Sequence, residues 1–198
     1  MAYSDFTLAE VIETFNLETV EELGIFNNVK EIEPTALLSQ TLTDHLSLIR
    51  IGESEKFKSE ALVFPVLVDL KRQVGSLQLF SGRDFNVDKE RKLNGRFDFL
   101  LTQSKEQLII DKPVIIVVEA KKDDIGEGLG QCLATMVAAQ IFNGLAKGSY
   151  TCPVMGTVTT GTTWVFMKLE GAIATFDLAE YSIRQPSKLL GILASAVI

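Results

Sequence analysis

The sequence predicts a mixed α/β domain in which helices pack on a central mixed sheet. Residues 34–49 place leucine and isoleucine at three- and four-residue spacing, which is the period of a helix that buries one face. From residue 74 onward, short segments rich in valine, isoleucine and phenylalanine alternate with glycine and proline, a pattern typical of strands and turns. The apolar share of 46% and the charged share of 23% are those of an ordinary globular protein.

The chain divides by charge into an N-terminal extension, residues 1–52, and a core, residues 53–198, which together are expected to form one compact domain. The extension is acidic, because residues 1–33 hold eight carboxylates and a single lysine. It is also predicted to be helical. Capping residues and apolar periodicity place its helices at residues 8–15, 18–23 and 34–49.

The core is predicted to run helix, several strands, helix and then further strands. Its first helix covers residues 54–69, where Pro65 predicts a kink or a split. Glycines at 126, 128 and 130 predict a loop ahead of the second helix. The strands are predicted at residues 74–80, 83–87, 95–102, 113–121, 154–160, 162–169 and 173–178, and the later helices at residues 131–142 and from residue 186 onward.

Several classes of protein are excluded by simple patterns. No apolar run approaches the ~18–20 residues that cross a bilayer, so no membrane partner is expected. The first twenty residues lack the basic start of a signal peptide. Cys132 and Cys152 form neither a disulfide framework nor a zinc pattern. These observations predict a cytoplasmic protein.

The charge distribution leaves room for a nucleic-acid partner despite the net charge of −7. Residues 56–96 hold nine bases against five acids, and they lie just upstream of the residues that suggest a site. A phosphate backbone requires local positive charge rather than a basic average. The alternative interpretation is that this stretch forms an ordinary solvated surface.

Charged residues stand where a buried strand ends, which suggests a functional site. Residues 114–118 are β-formers that are apolar on both faces, as in a strand at the middle of a sheet. Glu119 and Lys121 follow directly and, two residues apart, they project from the same face. Asp98 is likewise an acid flanked by apolar residues, a costly arrangement unless it is paired or binds a cation.

If the strands that carry Asp98 and Glu119 pair antiparallel, the two carboxylates converge. Carboxylates at close range repel each other, and a hard divalent cation relieves that repulsion. Mg²⁺, with Mn²⁺ as a substitute, could bind both acids and the backbone carbonyl of Ala120. Lys121 could position an attacking water, take its proton or offset charge in the transition state; a lysine beside a metal is expected to have a lowered pKa, which favours the base role.

The spacing Asp98 … Glu119-Ala-Lys121 resembles the D-x(n)-E-x-K signature of the PD-(D/E)XK nuclease superfamily. The predicted element order is similar to that family's αβββαβ core, which is restriction-endonuclease-like. The best local likeness is to the nuclease domain of type I restriction enzyme motor subunits, over roughly residues 55–170. The resemblance implies a Mg²⁺-dependent endonuclease, with Glu60 as an additional acidic ligand and Gln131 as a contact to substrate or water.

Together these observations predict hydrolysis of phosphodiester bonds in nucleic acid, with DNA as the expected substrate. Backbone phosphates are expected to contact basic side chains near the site: Lys89, Arg91, Lys92, Arg96 and Lys122. The alternative is a non-catalytic module of the same fold that binds nucleic acid or a protein. A homodimer, or a protein partner bound through the acidic N-terminal segment, is a further interaction that the sequence allows.

Overall fold

The structure is a computed structural model that describes residues 2–49, 53–144 and 152–197, so the predicted boundary at residue 52 lies outside the described residues. In the described part, the helices are α1 (Leu8–Thr14), α2 (Ala36–Leu48), α3 (Glu55–Lys58), α4 (Phe64–Val74), α5 (Gly126–Gly144) and α6 (Pro186–Ala194). The strands are β1 (Glu18–Glu22), β2 (Gln78–Ser81), β3 (Phe99–Thr102), β4 (Val114–Ala120), β5 (Val154–Thr159), β6 (Thr163–Glu170), β7 (Ile173–Asp177) and β8 (Tyr181–Ser182). A 3-10 turn covers Tyr3–Asp5, and a π-helical turn, Ser59–Val63, joins α3 to α4.

The strands form one eight-stranded sheet in the order β1-β7-β6-β5-β4-β3-β2, and β8 pairs with β6. β4 and β5 are parallel neighbours, and α5 makes the crossover between them. β2, β3 and β4 pair antiparallel, as do β5, β6 and β7. The predicted mixed α/β class is therefore confirmed, and the predicted hairpin turns at Gly161.

Helices cover both faces of the sheet. One apolar core lies under α2, α4 and α6 and includes Leu67 and Phe166. The other lies under α5 and takes in Tyr3 and Val11 from the chain's start. Every residue of β4 and β5 is buried, which explains their near-continuous apolar sequences.

The N-terminal extension contributes a strand to the sheet as well as helices. α1 begins as predicted: the Thr7 hydroxyl accepts from the Glu10 N–H, and the Glu10 carboxylate accepts from the Thr7 N–H at 2.8 Å. The predicted helical turn at residues 18–23 is wrong, because this segment forms β1 and pairs in parallel with β7. A single helical turn is costly to nucleate, whereas a ready strand edge satisfies its backbone groups.

The predicted helix at residues 54–69 continues through α4 and contains the irregularity that Pro65 predicts. Pro65 has no N–H, so the carbonyl of Ala61, four residues earlier, lacks its regular helical donor. The Nδ1 of His45 lies 2.6 Å from that carbonyl oxygen and supplies a donor in the Nδ1-protonated tautomer. The lone histidine therefore stabilises an interrupted helix.

α5 begins at Gly126, before the predicted start at residue 131, so the prediction of a glycine loop is wrong. A Cβ on Gly128 would lie 2.5 Å from a methyl of Val158 on β5. One on Gly130 would lie 2.4 Å from the backbone oxygen of Phe6. These glycines let the helix approach the sheet and the N-terminal segment closely, a tertiary requirement that the local sequence does not signal.

The chain between β2 and β3 forms an irregular arm, residues 82–97. The strand predicted at residues 83–87 is not formed; an isolated bridge joins Asp84 to Arg96 instead. The apolar residues of this segment that suggested a strand instead hold the arm in place. Phe85, for example, packs edge-on against the rings of Phe97 and Phe142.

The two strands that flank the arm are shorter than predicted. β2 begins at Gln78 rather than at residue 74, because α4 runs on to Val74 and ends at Gly75, whose φ of 76° stops the helix. β3 begins at Phe99 rather than at residue 95, which leaves Asp98 immediately outside the ladder.

Candidate active site

The candidate site lies where the start of β3 meets the end of β4. Phe99 pairs with Val118 across these antiparallel strands, so Asp98 comes level with Glu119. The Oδ2 of Asp98 accepts a hydrogen bond from the backbone N–H of Ala120 at 2.8 Å. The structure therefore brings Asp98 together with the Glu119-Ala-Lys121 segment.

Lys121 forms hydrogen bonds with one residue of β4 and one residue of the crossover helix α5. Its Nζ donates to Glu119 Oε1 at 2.7 Å and to Gln131 Oε1 at 3.1 Å. The side chain of Glu119 is only 4% exposed and that of Lys121 19% exposed, so this pair is largely screened from water. Gln131 thus lies on the candidate site, in the second turn of α5.

The path of the Lys121 side chain depends on a glycine of α5. A Cβ on Gly128 would lie 3.0 Å from Lys121 Cγ and 3.2 Å from its Cε. The aliphatic stem of the lysine therefore runs along the bare backbone of the helix. This contact directs the ammonium toward Glu119 and Gln131, which flank it.

Burial shifts the pKa of both carboxyl groups upward, toward their neutral forms, and only Glu119 is raised further by the charge of its neighbour. Burial and, secondarily, the charge of Asp98 raise the pKa of Glu119 from 4.5 to about 8, although Lys121 opposes the shift. Burial also raises the pKa of Asp98, against the hydrogen bond from Ala120 and the charge of Lys121. The site therefore holds less negative charge at neutral pH than two free carboxylates would.

The pKa of Lys121 shifts in the direction that favours the ammonium. Burial acts to lower this pKa, but the charges of Glu119, Glu55 and Asp98 and the bond to Glu119 more than offset burial and raise it. The lowered pKa expected from the sequence referred to a lysine beside a bound cation. In the metal-free chain the carboxylates dominate, which favours the protonated ammonium form of Lys121.

A cleft of about 620 Å³ opens onto this site. Asp98 and Ala120 form part of its wall, whereas Glu119 lies behind them and is buried. The remaining wall comes from the α3–α4 region and from the sheet edge. Its residues are Glu55, Lys56, Ser59, Glu60, Phe64, Ser81, Gly82, Arg96 and Phe99.

Glu60 lines the cleft, and its predicted role as an additional acidic ligand stays a prediction, but Glu55 has the stronger electrostatic link to the site. The Glu60 side chain is 70% exposed and lies 3.9 Å from the Nζ of Lys56. Glu55, at the start of α3, raises the pKa of both Glu119 and Lys121 by its charge. Sequence reasoning missed Glu55. The sequence does show that Glu55 and Glu60 lie in the same predicted helical segment, five residues apart.

The basic residues predicted to contact nucleic acid do not all lie near the site. Arg96 lines the cleft. Arg91 instead forms a 2.7 Å ion pair with Asp88 and lines a separate groove beside the second half of α5.

Two more of these bases belong to the arm, and one follows the site directly. Lys89 and Lys92 are exposed, and the charge of Lys92 acts on Glu10 of α1. Lys122 is exposed next to Lys121, and its carbonyl accepts from Lys58 Nζ at 2.8 Å. Contacts of these side chains with nucleic acid stay predictions.

The residues at the site fit a hard divalent cation held by few protein ligands. Across the described ranges, no group of three or more His, Cys, Asp and Glu side chains has the arrangement of a metal site. Mg²⁺ keeps several waters and often takes only one or two carboxylates, which Asp98 and Glu119 can supply. After burial, the charge of Asp98 is the second cause that raises the pKa of Glu119. A cation bound by both carboxylates would relieve this repulsion. Ala120 lines the cleft, and its carbonyl is the third oxygen that the sequence suggests.

Comparison with known proteins assigns this chain to no family: neither a protein-family model nor a curated protein matches it. Within the described residues, no helix has the length and apolar character required to cross a membrane.

Proposed function

We propose that this protein is a metal-dependent nuclease of the PD-(D/E)XK type, which hydrolyses phosphodiester bonds of nucleic acid, with DNA as the substrate. The observation that carries the proposal is the meeting of Asp98, Glu119 and Lys121 at one end of the sheet. The order helix, β2, β3, β4, α5 and β5 is the order expected of a restriction-endonuclease-like core, and it supports the same proposal.

Asp98 and Glu119 would hold Mg²⁺ or Mn²⁺. Such an ion, when bound, polarises a phosphoryl oxygen and lowers the pKa of water. Asp98 faces the cleft, so its carboxylate is accessible to an incoming ion, and Glu119 supplies a second oxygen from behind it.

Lys121 and Gln131 would act on the phosphate and on the water that attacks it. The ammonium of Lys121 offsets negative charge that develops on the phosphate oxygens. Gln131 orients the ammonium through its 3.1 Å hydrogen bond and keeps its amide NH₂ as a donor toward substrate or water. Arg96, on the wall of the same cleft, provides a contact to the backbone phosphate.

The test incubates the purified chain with supercoiled, linear and single-stranded DNA in Mg²⁺ and in Mn²⁺. Asp98→Asn and Lys121→Ala are assayed beside it. Lys168→Ala is a matched control, because Lys168 forms an exposed ion pair at 3.0 Å with Glu170, two residues away on one strand. Metal-dependent cleavage that both site variants lose and the control retains is the expected result. Cleavage that is equal in all variants would assign the activity to another site.

The second candidate function is a binding module of the same fold without cleavage. The observation in its favour is the 2.7 Å contact of Lys121 Nζ with Glu119 Oε1, in which each side chain already has a partner. This function predicts DNA retention in a mobility-shift assay together with intact DNA under every metal condition. Binding through the acidic N-terminal segment and dimer formation remain expectations that the same protein sample can test by light scattering.

A further inference from the structure

Phe64 is a large apolar side chain that lies on the wall of the cleft and is 42% exposed. It is the first residue of α4, directly after the π-helical turn. Irregular turns of this kind are frequent at functional sites. The exposed part of the Phe64 side chain has no role in the chemistry assigned to Asp98, Glu119 and Lys121.

The ring of Phe64 is held in place on one side. It stacks on the buried ring of Phe99, with the centroids 6.2 Å apart and the planes 28° apart. Phe99 directly follows Asp98 in the chain, so the two aromatic rings lie next to the candidate metal ligand. The exposed part of the Phe64 ring belongs to the cleft onto which Asp98 opens.

Two basic side chains near this ring can contact the phosphates of a phosphodiester chain, on a wall that also carries three acids, Glu55, Glu60 and Asp98. Lys56 and Arg96 stand on the wall of the same cleft as Phe64. The Nε of Arg96 donates to the Gly82 carbonyl at 2.5 Å, which holds the guanidinium on this wall of the cleft. Glu55 and Glu60 also line the cleft, and Glu60 Oε1 lies 3.9 Å from Lys56 Nζ.

We propose that Phe64 is a stacking platform for an unpaired nucleobase adjacent to the scissile phosphate. The inference rests on the proposed function, since it places the phosphate at Asp98. In a duplex both faces of a base are covered by its neighbours, whereas an unpaired base offers a free face to an aromatic ring. The substrate class is therefore single-stranded nucleic acid, or a duplex with a single-stranded end or flap.

Phe64→Trp turns the platform into a reporter. The chain's single native tryptophan, Trp164, is fully buried, so its emission provides a constant background that the unsubstituted chain measures. The variant is titrated in EDTA with a single-stranded oligonucleotide of about ten nucleotides, with the blunt duplex of the same sequence, and with an oligonucleotide whose nucleotides are abasic. Quenching by the base-containing single strand alone is expected.

Phe64→Leu provides the second measurement, because leucine keeps an apolar side chain but has no aromatic face. Fluorescence anisotropy should show single-strand binding weakened by roughly fivefold or more, with Phe64→Tyr close to the unsubstituted chain. Thermal denaturation of each variant checks that the fold is retained. Equal quenching by the abasic strand, preference for the blunt duplex, unchanged binding in Phe64→Leu, or no binding of any oligonucleotide would overturn the inference.

The outcomes separate this inference from the proposed function. Base-dependent quenching without cleavage in any metal supports the platform and rejects the nuclease. Metal-dependent cleavage that Lys121→Ala loses, together with Phe64→Leu cleaving and binding as the unsubstituted chain does, rejects the platform and supports the nuclease.

Discussion

Asp98 accepts a hydrogen bond from the backbone N–H of Ala120, at 2.8 Å, across the open end of the β3–β4 pair. Ala120 lies between Glu119 and Lys121, so one carboxylate fixes the backbone from which both other site residues project. The same carboxylate lines the cleft. Asp98 therefore has a structural and a chemical role, and these two roles can be separated by substitution.

Asp98→Asn and Asp98→Ala should have different effects. Asparagine retains an oxygen for the Ala120 N–H, so we expect a loss of stability below about 1 kcal/mol. Alanine leaves that N–H without its partner, and we expect a loss of about 1–3 kcal/mol in urea unfolding. Both variants should lose Mg²⁺ binding in calorimetry. An asparagine variant that binds Mg²⁺ normally would remove Asp98 from the ligand set.

The stability of the metal-free protein should depend on Glu119. Folding raises the pKa of this residue from 4.5 to about 8, so the folded chain retains a proton that the unfolded chain releases. The resulting stabilisation is full below about pH 4.5 and is lost as the pH rises through 8. We expect the free energy of unfolding in EDTA to fall over this range by up to about 5 kcal/mol, at about 1.36 kcal/mol for each unit of the pKa difference.

Glu119→Gln should flatten this pH dependence, because glutamine is a neutral replacement for the protonated acid. Urea unfolding at a series of pH values measures the slope. The raised pKa of Asp98 acts in the same direction, so a residual slope is expected in the variant. A slope identical to that of the unsubstituted chain would mean that Glu119 is ionised in the folded protein.

Stabilisation by Mg²⁺ should increase with pH. The cation must displace the proton that Glu119 holds below about pH 8, so binding is weakened at pH 6 and favoured at pH 8.5. At a fixed Mg²⁺ concentration, the rise in Tm should be larger at the higher pH. Glu119→Gln, which has no proton to displace, should show a small shift that does not change with pH.

Gly128→Ala should reduce activity without unfolding the protein. The added methyl group meets Val158 and the Lys121 stem, so it displaces the ammonium from Glu119 and Gln131. Gly126→Ala is the matched control, because its Cβ would meet only the side chain of Asp124, at 3.1 Å. We expect kcat to fall at least about tenfold in the first variant, or about 1.4 kcal/mol of activation free energy, with Tm lowered by several degrees relative to the control because the buried Val158 methyl must move.

Substitution of Glu55 should affect the site more than substitution of Glu60. Glu55 acts electrostatically on Glu119 and Lys121, whereas Glu60 is exposed and lies near Lys56. Calorimetry of Glu55→Gln should show Mg²⁺ affinity reduced about threefold or more, and Glu60→Gln should be close to the unsubstituted chain. The reverse order would restore Glu60 as the accessory acid.

The features that could be predicted from the sequence are those that local pattern determines. β4 is buried on both faces and reads as a continuous apolar segment, and the hairpin at Gly161 is formed by neighbours in sequence. The approach of Asp98 to Glu119 followed from one antiparallel pairing across a short connection.

The features that could not be predicted depend on distant partners. β1 is a strand because β7 offers an edge more than a hundred residues later, where Glu18 pairs with Ile173. The start of α5 was missed because glycine disfavours helices on average, while here Gly128 is required by Val158 and Lys121. The exposure of Phe64 could not be predicted from the sequence, because it depends on how α4 packs against Phe99.

The parallel pairing of β1 with β7 also sets a limit on how the protein can be shortened. A chain starting after α2 would present β7 as a bare ladder edge and would uncover the side of α5 on which Tyr3 and Val11 pack. Unpaired edges of this kind invite association with other chains, and the acidic side chains of β1 presently discourage it. The segment that follows α2 is therefore expected to aggregate when it is expressed without the first fifty or so residues, so functional assays require the N-terminal extension.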